Sequence, residues 1–242
     1  MQRLSRRSFL KSTSLLAGAS ALGSSALFGI SRAFAQDMQG QNDDVQTIIN
    51  LAATAELFAS THYLAAINGA ADLGLGEVQV NYLKAAFISE RDHYDLLVSL
   101  GAAPVVTEFY VPPTLFSDKA LFAAITEVAE TTFVSAYLAA TRIFSEAGET
   151  GFAVTTAQIA GVEAEHRALV RQIGGLLPNN IPYAQFQFRN VSDAVPTLQP
   201  FLDGSGEGFV GPVQPPSDDD VAAIRAEASD LGYEAVTPFA AM

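Results

Sequence analysis

Apolar positions recur at alternating steps of three and four residues along four stretches of the chain, which is the period of an amphipathic α-helix. The stretches cover about 44–70, 77–100, 118–147 and 152–177, and none of them contains proline. In each stretch the apolar positions form one seam, as in bundled helices that cross at about 20°. The pattern therefore predicts four long helices packed into an all-α bundle.

The connections between these helices predict the topology. Short glycine-bearing turns at 72–74 and 148–151 favour two antiparallel hairpins. The second and third helices are separated by residues 101–117, which include three prolines and an extended Val-Val-Thr-Glu-Phe-Tyr-Val run. At ~3.3 Å per residue this segment can run the length of a helix. A long crossover, which some four-helix bundles contain, is therefore favoured, with a compact loop as the alternative.

The chain changes character after Pro178. Residues 178–217 contain seven prolines, which predicts irregular chain laid over the bundle and not a second domain. Ser217 followed by three aspartates is a good N-cap, so a short helix to about Leu231 is expected. We therefore expect residues 44–177 to form the bundle and residues 178–242 to form a proline-rich tail whose short C-terminal helix packs on it.

The first 35 residues have the features of an export signal. They contain five basic residues and no acidic one, an apolar run over 15–30, and a closing Ala-Phe-Ala. The Arg6-Arg7-Ser8-Phe9-Leu10-Lys11 segment resembles the twin-arginine signal, which implies export of a folded protein. An uncleaved membrane anchor is the alternative reading. We expect cleavage before Gln36, a polar linker over 36–43, and a periplasmic or extracellular protein.

Composition excludes several kinds of site. The chain has no cysteine, which rules out disulfides, thiolate-ligated metals and a thiol nucleophile. Beyond residue 35, eight lysines and arginines face 26 aspartates and glutamates, a formal charge of −18. Such an acidic body repels phosphate backbones and attracts cations, so we expect no nucleic-acid partner. A glycine-rich phosphate loop and a nucleophile elbow are both missing from the sequence.

Four glutamates occupy seam positions near the middle of the four helices: Glu56, Glu90, Glu130 and Glu163. Burying a carboxylate is costly, and four that converge also repel one another, so a polyvalent cation is the most effective compensation. Two of the three histidines lie three residues after a seam glutamate, in Glu90-x-x-His93 and Glu163-x-x-His166. Because positions i and i+3 share one helix face, each pair can reach one metal ion.

This residue set resembles the di-metal carboxylate site of the ferritin-like superfamily, in which two helices give one Glu each and two give Glu-x-x-His. More narrowly, the chain is similar to exported ferritin-like proteins related to plant desiccation-associated proteins. The similarity is carried by Ala-Glu-Leu and His-Tyr in the first helix, Leu-Gly-Ala after the second, Ser-Ala-Tyr-Leu in the third and Val-Glu-Ala-Glu-His-Arg in the fourth. It implies two iron or manganese ions, with Glu56 and Glu130 as terminal ligands, Glu90 and Glu163 as bridges, and His93 and His166 as one nitrogen ligand each.

Other residues near these positions have open roles. Glu127 lies one turn before Glu130 and competes for its role, although the motif spacing favours Glu130. His62 flanks the seam with no glutamate three residues before it. The three seam tyrosines, Tyr63, Tyr94 and Tyr137, are expected to serve in packing, with a role as redox relays as the alternative. Asp92 and Glu165 lie about 200° from the seam glutamates around their helices and are expected in solvent.

The leading functional prediction is an exported di-iron or di-manganese oxidoreductase, of ferroxidase type or related chemistry, that uses dioxygen or peroxide. Carboxylate-rich ligands suit iron and manganese better than zinc or copper. The alternative is a non-enzymatic stress or desiccation-associated protein, structural or metal-binding, that keeps the bundle and uses its acidic surface. Iron storage by a cage is a third reading, without identifiable cage contacts. Metal ions and the twin-arginine export machinery are the expected partners, and a homo-oligomer remains open.

Overall fold

The structure, a computed structural model, describes residues 41–239. Its frame is four long helices: α1 (Val45–Asn68), α2 (Glu77–Ser99), α3 (Lys119–Glu146) and α4 (Thr150–Ile173). Their bounds lie within a few residues of the periodic stretches in the sequence, and the prediction of an all-α bundle of four long helices is confirmed. The predicted signal over 1–35 and most of the predicted linker lie outside the described residues.

Local sequence explains where the helices begin. The Asp44 carboxylate accepts a hydrogen bond from the Thr47 amide at 2.7 Å, and the Asp118 carboxylate accepts from the amides of Ala120 and Leu121 at 3.0 and 3.1 Å. These side chains satisfy amide groups that a first helical turn leaves without partners. The starts of α1 and α3 are therefore encoded by single residues that immediately precede them.

The first hairpin brings the end of α2 to the start of α1. The Gln46 side chain donates to the Gly101 carbonyl at 3.2 Å, which shows that α1 and α2 are antiparallel. Helices α1 and α3 are antiparallel as well, because Tyr63 bonds to Glu130 while Glu56 bonds to Tyr137. Helices α2 and α3 therefore point the same way, and the chain between them must return along the bundle.

The return segment lies along α1. The Ala103 amide donates to the Asn50 side chain and the Val105 amide donates to Thr54 Oγ1, each at 2.8 Å. At its far end, the Phe116 carbonyl lies against Gly69, just past the end of α1. The long crossover predicted from the length of this segment is confirmed.

The tail is less irregular than its proline content predicts. A 3₁₀ turn (Val191–Ala194) leads into a further helix, α5 (Val195–Asp203), and strand β2 (Val210–Val213) pairs antiparallel with β1 (Phe109–Val111) of the crossover. Pro196 lies in the first turn of α5, where its missing amide hydrogen costs no helical bond. Strand β2 is defined by a partner about a hundred residues away, which a local pattern does not reveal.

The predicted C-terminal helix is present as α6 (Asp218–Asp230). It begins at a Ser217 cap that accepts from the Asp220 amide at 3.2 Å. Helix α6 packs on α2 through Ile224 and Ala228, which are buried, and through a 2.7 Å ion pair between Arg225 and Asp92. The tail thus covers one side of the bundle, as expected, and is fixed to the helix that carries Glu90 and His93.

The bundle interior is filled by large apolar side chains, including Phe87, Phe122 and Tyr63. Among the described helices, α3 is long and apolar enough by length and composition to cross a membrane, but 72% of its apolar window is buried within the protein. The hydrophobicity of α3 is therefore accounted for by the core, and the seam glutamates are embedded in that core.

Candidate metal centre

All six predicted ligands lie together at the centre of the bundle. Helices α1 and α3 contribute one carboxylate each, and α2 and α4 each contribute a Glu-x-x-His pair. They form two groups in which the ligand atoms lie within 4.8 Å of one another. One group is Glu56, Glu90, His93 and Glu163, and the other is Glu90, Glu130, Glu163 and His166. Glu90 and Glu163 belong to both groups.

The two shared glutamates each turn one oxygen toward each histidine. His93 Nδ1 lies 3.4 Å from Glu90 Oε2 and 3.4 Å from Glu163 Oε1. His166 Nδ1 lies 3.0 Å from Glu90 Oε1 and 3.1 Å from Glu163 Oε2. This is the arrangement of carboxylates that can bridge two neighbouring ions, with one imidazole nitrogen directed to each ion.

Tyrosines hold the two remaining carboxylates. The Tyr63 hydroxyl of α1 donates to Glu130 of α3, and the Tyr137 hydroxyl of α3 donates to Glu56 of α1. Each tyrosine is seven residues after the glutamate of its own helix, so the two antiparallel helices exchange equivalent bonds. Burial raises the pKa of both tyrosines, and the neighbouring carboxylates raise it further, which keeps each hydroxyl protonated as a donor. These two tyrosines therefore do more than pack.

Several polar atoms of the cluster have no hydrogen-bond partner among the described residues. They are both carboxylate oxygens of Glu90, one oxygen each of Glu130 and Glu163, and His93 Nδ1. Buried polar groups are normally paired, and unpaired carboxylate oxygens are costly in a protein interior. Carboxylate oxygens and imidazole nitrogens that converge in this way are the ligand atoms of a pair of divalent cations.

Comparison with known proteins agrees with this geometry. A family model for the ferritin-like domain matches residues 43–175, which is more than half of the chain and includes all six cluster residues. The chain belongs to the ferritin-like family. Searches of curated proteins and of solved structures found no match. The narrower relationship to exported desiccation-associated proteins stays a prediction.

The charges of this ferritin-like cluster are strongly coupled. Burial raises the pKa of Glu56 and Glu130, and the charges of Glu90 and Glu163 raise it further. Burial acts in the same direction on Glu90, but the His166 imidazolium outweighs it and leaves the Glu90 pKa below its usual range. Without a bound cation, the cluster therefore compensates its negative charge by retaining protons.

The two histidines retain protons for a related reason. Burial by itself lowers the pKa of an imidazole, but the facing carboxylates more than offset this effect. Glu56 raises the pKa of His93, and Glu90 raises that of His166, to well above the ordinary value. Any metal that binds must displace these protons.

Glu127 lies outside both ligand groups. Its carboxylate accepts from Arg171 Nη1 and, at 3.1 Å, from Arg167 Nη2, and all three side chains are buried. Arg167 also donates to Asn180 at 2.9 Å, and Arg171 donates to the Leu177 carbonyl at 2.8 Å. The structure thus separates the two glutamates of α3: Glu130 faces the cluster, and Glu127 joins α3 to α4 and the start of the tail.

His62 is buried beside the cluster but belongs to neither ligand group. Its Nε2 lies 2.8 Å from Thr126 Oγ1, and the Thr126 hydroxyl donates its own proton to the Phe122 carbonyl. His62 Nε2 must therefore carry the hydrogen, and Nδ1 has no hydrogen-bond partner among the described residues. Burial lowers the pKa of His62 to about 4, so the ring is neutral at pH 7.

Two further residues of α2 had sequence-based expectations: Asp92 was expected in solvent and Tyr94 in packing. Asp92 is not simply solvated, because it pairs with Arg225 and accepts from the Tyr233 hydroxyl at 2.9 Å. Tyr94 packs, as expected, with the Arg91 guanidinium 4.5 Å above its ring. Sequence periodicity places both residues on α2, but it gives no sign of the partners of Asp92, since Arg225 and Tyr233 come from the tail.

The cluster is least enclosed at His93. The His93 side chain is 12% exposed, whereas the other five are between 0% and 4% exposed. His93 lies next to Asp92, where α6 and Tyr233 attach to α2. The most accessible side chain of the cluster therefore lies on α2, the helix on which α6 packs.

Proposed function

We propose that this ferritin-like protein binds two iron or manganese ions in its bundle and is an exported oxidoreductase that uses dioxygen or peroxide, with ferroxidase-type oxidation as its simplest reaction. One observation carries the proposal. Glu90 and Glu163 each present one oxygen to His93 and the other to His166, so that two four-residue groups share two carboxylates.

The roles of the residues follow from their positions. The ions would be held by Glu56, Glu90, His93, Glu130, Glu163 and His166. Bound there, iron or manganese would supply electron transfer to dioxygen or peroxide. Tyr63 and Tyr137 orient the two carboxylates that are not shared, and the surrounding apolar core limits access of water. These residues set the geometry and polarity of the site.

Metal content is the first test. Protein purified from the compartment in which it accumulates should contain about two iron or manganese ions per chain. Glu163→Gln should lose both ions because Glu163 belongs to both groups. Glu165→Gln, on the exposed face of the same helix, is the matched control and should retain both. Purified wild-type protein without iron or manganese would refute the proposal.

Reaction with oxidants separates an enzyme from a metal-binding protein. Wild-type protein loaded with ferrous iron should consume dioxygen or peroxide faster than free ferrous iron at the same pH. Glu163→Gln should show no such acceleration, and Glu165→Gln should match the wild type. If the wild type binds its metal but accelerates neither reaction, the non-enzymatic stress or desiccation function replaces the oxidoreductase function.

Export is tested separately. The proposal of export is supported by the paired arginines, the apolar run and the Ala-Phe-Ala ending in residues 1–35. Replacing Arg6 and Arg7 by lysine should retain the protein inside the cell, while the unchanged chain should appear outside the inner membrane with Gln36 as its first residue. Exported protein that still carries residues 1–35 would rule out the cleaved signal.

A further inference from the structure

A small apolar cavity lies beside the candidate metal centre, between α1, α3 and the tail residues 191–202. Its volume is about 50 Å³. Its walls include Ala52 and Ala55 of α1, Phe133, Ala136 and Tyr137 of α3, and Leu198 of α5. No exposed polar surface faces this space. The cavity thus differs in character from the polar approach to the cluster at His93.

The polar atoms of the wall residues are engaged elsewhere. Thr54 Oγ1 donates to the Asn50 carbonyl and accepts from the Val105 amide, both at 2.8 Å. The Tyr137 hydroxyl donates to Glu56. A buried water needs two to four polar partners, and dry apolar cavities are known to take up xenon and small hydrocarbons. This cavity is therefore suited to a small apolar molecule and unsuited to water.

The cavity and the cluster are one side chain apart. Tyr137 lines the cavity, and its hydroxyl donates to Glu56 of the cluster. Ala52, another wall residue, lies one helical turn before Glu56, so the two face the same side of α1. An apolar molecule in the cavity would therefore be held next to the carboxylates without passing the exposed His93 side.

We propose that this cavity binds dioxygen and supplies it to the metal centre. A cavity holds a water-sized molecule once about 10–15 Å³ is available. A volume of 50 Å³ therefore accepts a diatomic gas. The supply role rests on the proposed function. The binding of dioxygen in the cavity does not rest on that function, because the fold forms the cavity whether or not a metal is bound.

Occupancy can be measured without a redox-active metal. Dissolved dioxygen is paramagnetic and accelerates the relaxation of nearby methyl protons. In the full chain freed of metal and held under dioxygen pressure, the methyl groups of Ala52, Ala55 and Ala136 should relax several-fold faster than those of control alanines outside the cavity. The control for Ala52 is Ala66, which is also buried, and the controls for Ala55 and Ala136 are Ala65 and Ala153, which are also half-buried. Added xenon, a diamagnetic apolar competitor, should reverse the effect.

A matched pair of variants tests the site. Ala136→Leu places a larger apolar side chain in the cavity and should abolish the enhancement at Ala52 and Ala55. Ala120→Leu makes the same change at an exposed position of α3 and should leave the enhancement at Ala52 and Ala55 intact. Equal enhancement at all buried methyl groups of the wild type, or no reversal by xenon, would overturn the binding site. Unchanged enhancement at Ala52 and Ala55 in a folded Ala136→Leu variant would also overturn the binding site.

The supply role has its own readout. With ferrous iron bound at unchanged stoichiometry, Ala136→Leu should raise the KM for dioxygen several-fold, and Ala120→Leu should not. A variant that loses the relaxation effect but keeps the wild-type KM would overturn the supply role. If the iron-loaded wild type consumes no dioxygen at all, the proposed oxidoreductase function fails, while the relaxation measurement still decides whether the cavity binds dioxygen.

Discussion

Glu127 and Glu130 are one turn apart on α3 and are both buried, yet their surroundings are opposite in charge. Glu130 faces other carboxylates, and Glu127 faces two arginines. Glu130→Gln therefore keeps the neutral state that burial and the neighbouring carboxylates favour there by raising the Glu130 pKa. Glu127→Gln instead deprives Arg167 and Arg171 of the anion they share. The same substitution at the two positions should thus affect different properties of the protein.

We predict that Glu130→Gln loses one of two bound metal ions while the metal-free fold remains at least as stable as the wild type. Glu127→Gln should keep both ions in the folded protein but lower the free energy of unfolding by about 3–5 kcal/mol, as expected when one partner of a buried ion pair is removed. Metal analysis and denaturant unfolding measure the two effects. A loss of metal in Glu127→Gln with none in Glu130→Gln would move the ligand assignment by one turn.

Part of the stability that the folded protein loses in acid depends on the buried ring of His62. Its pKa falls from about 6.5 in the unfolded chain to about 4 in the folded protein, because burial disfavours the imidazolium. The unfolded state therefore takes up the proton first. The stability due to the neutral ring is complete above pH 6.5 and is lost as the pH falls toward 4, by about 3 kcal/mol.

His62→Phe should remove this part of the acid sensitivity. The ring of His62 stacks on Phe122 at 5.2 Å between centroids, so phenylalanine suits the position. The stability difference between pH 7 and pH 4, measured by denaturant unfolding of the metal-free proteins, should shrink by about 3 kcal/mol relative to wild type. Comparing the two proteins cancels the titration of the ligand cluster. Parallel pH profiles would contradict the neutral state assigned to His62.

At the scale of elements, the crossover depends on close contact with the end of α1. A Cβ atom at Gly69 would lie 2.8 Å from the Phe116 carbonyl oxygen, so a side chain there must displace the backbone of the crossover. Gly161 lies on the exposed face of α4, and a Cβ built there has no described atom within 4 Å apart from its chain neighbours and the backbone of its own helix. The two glycines thus offer the same substitution in crowded and open surroundings.

We predict that Gly69→Ala lowers the free energy of unfolding by about 1–3 kcal/mol, the usual cost of overpacking. Gly161→Ala should raise it by about 0.5–1 kcal/mol, because alanine is the better helix former. Denaturant unfolding of both variants against the wild type gives the comparison. Equal effects of the two substitutions would show that the crossover is free to move away from α1.

For the whole molecule, metal binding is linked to folding and to protons. The ligands come from four helices and are gathered only in the folded chain, so bound metal should stabilise the fold. His93 and His166 hold their protons well above the usual pH range of histidine before a metal binds. Each ion must displace at least the proton of its imidazole.

We therefore predict that binding at pH 7 releases about one proton per metal ion or more, and that apparent affinity falls as the pH is lowered. Titration calorimetry in two buffers of different ionisation enthalpy measures the protons. Chelation should lower the Tm of the wild type and leave that of Glu163→Gln unchanged. Metal binding without proton release would mean that the imidazoles are already neutral.

The sequence by itself determined the features of this protein that depend on residues close together in the chain. Helix periodicity fixed four helices and their inward faces, and single capping residues such as Asp44 and Asp118 fixed where α1 and α3 begin. Because i and i+3 share a helix face, the same periodicity placed each histidine beside its glutamate. The length of the segment between α2 and α3 indicated the crossover.

Tertiary structure alone decided which distant residues meet. The pairing of β1 with β2, the arginines around Glu127 and the exchanged tyrosine bonds each join residues from separate elements, so no spacing along the chain encodes them. The surroundings of Glu127 and Glu130 on α3 illustrate the difference. Periodicity turns both inward, but only the packing of α4 against α3 gives arginines to Glu127 and leaves Glu130 to the cluster.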